Sequence, residues 1–119
     1  MSKTLVASLA MTLLLASCAT LPPPTEELEA AKLAIANAES ANAQQFAPQP
    51  LLDAQNYFSA ASEALNKGNE TDARPLLEKA AVTADLATAQ SHAAAKVNDA
   101  QARQKQVQEL RAKIEEATP

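Results

Sequence analysis

One glycine, Gly68, interrupts the 102 residues from Cys18 to Pro119, and 26 of those residues are alanine. Alanine is the best helix former, and a single glycine leaves few places where a helix can break. Leu, Ile, Val and Phe together number 17, a share low enough to raise the question of disorder. The alanine content answers it in favour of helices. There is no Trp, and the aromatics are Tyr57, Phe46 and Phe58. Such a chain builds a thin core in which helices approach over alanines, with modest stability. A length of 102 residues is one small domain at most.

Punctuation divides this domain into three predicted helices. The first covers about 25–46. Thr25 is its expected N-cap, and Glu26, Glu27 and Glu29 suit the positive end of the helix dipole. Leu28, Ala31, Ile35, Ala38 and Ala41 follow a helical stripe. Ala47-Pro48-Gln49-Pro50 ends the helix, with Pro50 suited to the first turn of the next. The second helix, about 50–67, shows Leu51, Ala54, Phe58, Ala61 and Leu65 at steps of three and four, with Tyr57 beside them, and stops at Gly68-Asn69. The third covers about 70–117, with Pro75 tolerated near its beginning. Ala73, Leu76, Leu77, Ala80, Ala84 and Ala87 form its first apolar stripe, and Val107, Leu110 and Ile114 form another near the end.

At a rise of 1.5 Å per residue the first two helices are each roughly 30 Å long and the third roughly 70 Å. Two short helices cover only about its first half. The expected fold is therefore all-α, an antiparallel three-helix arrangement. Its long C-terminal helix overhangs the short N-terminal pair from about Ala94 onward and leaves in the direction of the first helix.

The chain begins differently. Lys3 is followed by an apolar run from Leu5 to Ala16, which ends in Leu15-Ala16-Ser17-Cys18 with the only cysteine. A charged residue, a short apolar stretch and small residues before a break have the architecture of a secretory signal, too short for a spanning helix. The ending resembles the bacterial lipobox. The resemblance implies removal of residues 1–17 by cleavage between Ser17 and Cys18, and acylation of Cys18. Each buried methylene contributes about 0.8 kcal/mol of membrane binding, so the several chains typical of such proteins hold tightly. By the sorting rule of enterobacterial lipoproteins, Ala19 in place of Asp after the cysteine favours the outer membrane. Residues 18–24 form the lipidated end and a Leu21-Pro22-Pro23-Pro24 spacer, roughly 20 Å long in polyproline form. The overhang then points into the periplasm.

Two further resemblances follow. Tyr57 to Ala81 resembles one helical hairpin of a tetratricopeptide repeat, with Gly68-Asn69 between the helices and Ala73, Leu77 and Ala80 at its small and large positions. Tyr57, Ala61 and Ala64 stand where the repeat has Trp, Gly and Tyr, and Asp85 replaces its closing proline. One hairpin cannot make a repeat groove, which needs about three. From about Pro23 to Ala100 the chain resembles a family of uncharacterised Ala-rich bacterial lipoproteins. The pattern is a lipobox, a proline linker, the helix of Glu27 to Glu39, an alanine–proline turn and a helix ending in Leu-x-x-Gly-Asn. Some relatives carry an OmpA-like peptidoglycan-binding domain after this region.

Chemistry-bearing residues are sparse. His92 is the only histidine, and its helical neighbours Thr88, Ala89, Ala95 and Lys96 offer no carboxylate or thiolate, so it reads as an exposed helix residue. Glu26-Glu27 and Glu115-Glu116 are adjacent and do not face one another on a helix. No nucleophile elbow or glycine-rich phosphate loop is present. We expect no catalysis, no metal and no cofactor. From Cys18 onward nine basic side chains face fourteen acidic ones, which argues against nucleic acid. Lys96, Arg103, Lys105, Arg111 and Lys113 read mainly as a solvated face with pairs such as Glu109 with Lys113. Val107, Leu110 and Ile114 have no intramolecular cover and fit either a partner-docking seam or a frayed tail.

The expected function is a noncatalytic, membrane-anchored periplasmic lipoprotein, a structural or protein-interaction element of the cell envelope. It would be held in the membrane by acyl chains on Cys18 and would contact an envelope protein or itself. The alternative is a peptidoglycan-associated lipoprotein. Against it, the last residues Glu116-Ala117-Thr118-Pro119 lack the terminal lysine by which the murein lipoprotein is attached.

Overall fold

The computed structural model describes residues 21–119. All the regular structure among them is helical: α1 (Thr25–Ser40), α2 (Ala43–Phe46), α3 (Pro48–Asn66) and α4 (Glu70–Ala117). The expected long helix overhanging shorter N-terminal helices is present. The four elements differ from the three expected because the first helix breaks early.

The break lies at Asn42, the one non-glycine residue with positive φ (58°) among those described. Its N–H bonds the Glu39 carbonyl at 3.0 Å and closes α1. Asparagine tolerates this left-handed conformation better than other side chains with a Cβ. The single turn of α2 follows, and α3 begins at Pro48, two residues before Pro50. Nor does Thr25 cap α1: it is the first helical residue, Pro24 precedes it, and no side chain caps that end.

The turn between α3 and α4 needs its glycine. Gly68 has φ +75°, its N–H bonds the Leu65 carbonyl, and the Asn69 N–H bonds the Ala64 carbonyl, both at 2.9 Å. This pair of bonds satisfies carbonyls that the ending helix would leave bare. The Asn69 side chain then accepts from the Asp72 N–H at 3.2 Å and starts α4. Pro75, in the second turn, removes one ladder bond without ending the helix.

Packing is organised along α4. α1 runs beside it in the same direction and α3 in the opposite one, and both touch α4 far more than each other. One buried cluster joins Ala31, Ala61, Leu77 and Ala80, flanked by Leu28, Phe58 and Leu65. A second joins Ala34 and Ala38 with Ala43, Ala47 and Leu51, against Ala84 and Ala87. The kink at Asn42 turns Ala43 and Ala47 onto α4. Leu77 is the largest apolar side chain that is fully buried. Ser91, also fully buried, bonds the Ala87 carbonyl at 2.7 Å and marks the end of the core. From Lys96 onward every residue is exposed, so at 1.5 Å per residue roughly 33 Å of α4 stands clear.

Leu77→Ala is expected to lower stability by about 3 kcal/mol through the cavity it leaves. Leu110→Ala, beyond the core, should change it by less than about 0.5 kcal/mol. Urea unfolding followed by far-UV circular dichroism measures both.

Candidate functional site

Ser17 and Cys18, the predicted cleavage and lipidation residues, lie outside the described residues, as does the signal segment. The spacer end is visible. The Arg74 guanidinium of α4 donates to the Pro22 carbonyl at 2.6 Å and pairs with Glu27 of α1. Both charged side chains are three-quarters covered. Arg74 therefore fixes the point where the spacer enters the helices. Beside it, Leu21 lies over an open cleft formed with Gly68, Asn69, Thr71 and Pro75.

The opposite end carries the predicted contact residues. Val107, Leu110 and Ile114 are 47%, 59% and 65% exposed. Steps of three and four hold them within about 60° of one another around the helix. They form one apolar edge on a segment that α1 and α3 do not reach.

Among the described residues, the charges around this edge form no intramolecular ion pair. Among the described residues, ion pairs join Lys32 with Glu29, Lys67 with Glu63, and Arg74 with Glu27. The expected Glu109–Lys113 pair is not among them. Lys96, Arg103, Lys105, Arg111 and Lys113 are free to meet charges on another molecule.

His92 is exposed, in a shallow groove with Asn37, Ser40, Ala41 and Thr88. Among the described residues no three His, Cys, Asp or Glu side chains come together to hold a metal ion. No described helix is long and apolar enough to cross a membrane. Tyr57 is half-covered, with the Lys79 ammonium 5.8 Å from its ring centre, a weak cation–π contact.

The exposed apolar edge of α4 takes in residues beyond Val107, Leu110 and Ile114. Val82 and Leu86 are 70% and 49% exposed, and Ala89 and Ala93 are exposed below them. These four lie on the side of α4 turned away from α1 and α3. The available signal was the spacing of Val82 and Leu86, which falls outside the stripe of Ala73, Leu77, Ala80, Ala84 and Ala87.

A model of the family described as a domain of unknown function (DUF4398) matches residues 26–114. No curated protein and no solved structure matches the chain.

Arg74→Gln is expected to lower stability by about 1 kcal/mol and to speed amide hydrogen exchange in the first turns of α1. The Glu63 carboxyl titrates below its ordinary range because Lys67 donates a hydrogen bond to it and lies close in charge. A depressed folded value stabilises above the ordinary carboxylate range, and that contribution disappears as pH falls through the lowered value. Lys67→Gln should return Glu63 to ordinary titration in a carboxyl-detected NMR series.

Proposed function

The chain belongs to this family of unknown function, and we propose that it is a noncatalytic lipoprotein of the bacterial envelope. In this reading Cys18 is acylated and anchors the chain, most simply in the outer membrane, and the helical domain works in the periplasm as a structural or interaction element. The anchor rests on the Leu15-Ala16-Ser17-Cys18 ending of an apolar signal segment, which is a sequence observation.

The interaction role is supported by one structural observation. The distal third of α4 is continuously helical, wholly exposed and edged by Val107, Leu110 and Ile114 at the end away from the spacer. A helix that is not needed for the core and keeps an apolar edge in water is suited to contact another molecule. The five cations of this segment, Lys96, Arg103, Lys105, Arg111 and Lys113, stand against four acids, Asp99, Glu109, Glu115 and Glu116. The cations are what supports the second reading, association with the anionic cell wall, which requires co-sedimentation with purified peptidoglycan.

The test is made in cells with the full chain. Cys18→Ser should abolish fatty-acid labelling and release the protein from carbonate-washed membranes. A photo-crosslinker at Leu110 should yield discrete adducts, and one at Thr71 should not. Membrane retention of the Cys18→Ser protein would refute the anchor. Adducts from Thr71 with none from Leu110 would move the contact site to the hairpin.

A further inference from the structure

The edge at Val107 continues along the whole exposed face of α4. From Val82, alternating steps of four and three residues reach Leu86, Ala89 and Ala93. The same steps then meet Lys96, Ala100 and Arg103, and finish on Val107, Leu110 and Ile114. All ten positions are exposed. Eight are apolar, over more than four heptads. A strict seven-residue repeat is the mark of a left-handed coiled-coil seam, and a repeat sustained for three to four heptads distinguishes it from chance. The core stripe of α4 occupies the opposite side, so α1 and α3 leave the seam open.

We propose that this face is a self-association seam whose occupant is the same face of a second copy, running antiparallel. The proposal rests on the interaction half of the reading above and is independent of the anchor. Two properties of the sequence select this occupant and direction. In a parallel pair each residue of the seam meets itself, so Lys96 would face Lys96 and Arg103 would face Arg103. Two stacked layers of like charge would then sit in the interface.

Antiparallel pairing about a two-fold axis near residue 98 separates them. Val82 meets the other copy's Ile114, Leu86 meets Leu110, and Ala89 meets Val107. Lys96 and Arg103 then face Ala100 and Ala93, small residues past which their stems can reach water. The flanking positions agree. Asp85 comes opposite the other copy's Lys113, twice by symmetry. Val97 meets its own copy at the axis. Asp99 also meets its own copy there, the one unfavourable charge contact. None of these ionic groups has an intramolecular ion pair among the described residues. A shallow groove lined by Pro75, Glu78, Lys79, Val82 and Thr83 lies where the other copy's Ile114 arrives.

Cysteine pairs in the full chain test this, with wild type (Cys18 alone) as the control. Oxidation should link chains carrying both Val82→Cys and Ile114→Cys, or both Leu86→Cys and Leu110→Cys, into covalent dimers. None of the four single variants should link. Charge exchange tests direction separately: Asp85→Lys should weaken the dimer several-fold by analytical ultracentrifugation, and Lys113→Asp added to it should restore it. Leu110→Asp should give monomers with unchanged unfolding of the core. Self-linkage of Leu110→Cys alone, no rescue by the charge exchange, or a monomer at all concentrations would each overturn the proposal. So would linkage of the seam to a different protein. A monomer that still partitions with membranes and cross-links another envelope protein refutes the dimer and leaves the functional reading standing. A dimer that is never lipidated does the reverse.

Discussion

Close approach over alanine is the interaction on which this structure depends. Of the thirteen buried apolar side chains among the described residues, all but Leu51 and Leu77 are alanines. Each removes little area from water, so burial per residue is small. A methyl side chain also lets two helix backbones come near, and dispersion between them accumulates along the contact. That arrangement works only if every helix presents its alanines to the same surface. α4 is that surface, and α1 and α3 meet chiefly through it. The larger side chains, Leu28, Phe58 and Leu65, close the edges of the contact. The single glycine and Asn42 provide the left-handed backbone that lets the chain return to α4 each time.

Much of this was legible because alanine-rich helices repeat with a clean period. The stripe read for α3 and the first stripe read for α4 coincide with their packed faces. The Gly68-Asn69 stop is found as a double hydrogen-bonded C-terminus, and loss of cover begins close to Ala94 as lengths alone implied. The errors are also physical. The prolines at 48 and 50 place the end of the first helix near residue 46, whereas Asn42 takes positive φ and ends α1 at Ser40. Proline was read as the terminator, yet the chain had already turned. Composition reports helix propensity; it does not report which residue leaves the ladder first.

The candidate surface was legible in part for a different reason. Val107, Leu110 and Ile114 stood out because the polar segment before them isolates them. Val82 and Leu86 did not, since they neighbour the core stripe in sequence and only a known packing direction places them outside. Once α1 and α3 are seen on one side of α4, the same helix is found to bear two apolar patterns. One follows the core and ends at Ser91. The other begins at Val82 and lasts to Ile114, and the fold leaves it in water.

Two patterns on one helix impose different lengths and different partners. The inner one ends where α1 and α3 end. The outer one extends about 50 Å at the helical rise, longer than any other described helix of this chain, whereas a second α4 matches its full length. Direction then has a consequence for an anchored chain. Arg74 holds the spacer at the start of α4, and antiparallel pairing about residue 98 separates the two spacers by about 70 Å. With both anchors in one bilayer, the pair would lie along the membrane; a single copy would stand away from it. If the chain is anchored and paired as proposed, the orientation of the domain at the membrane would be set by whether α4 is paired, through the position of Arg74 and the charge of two seam residues, Lys96 and Arg103.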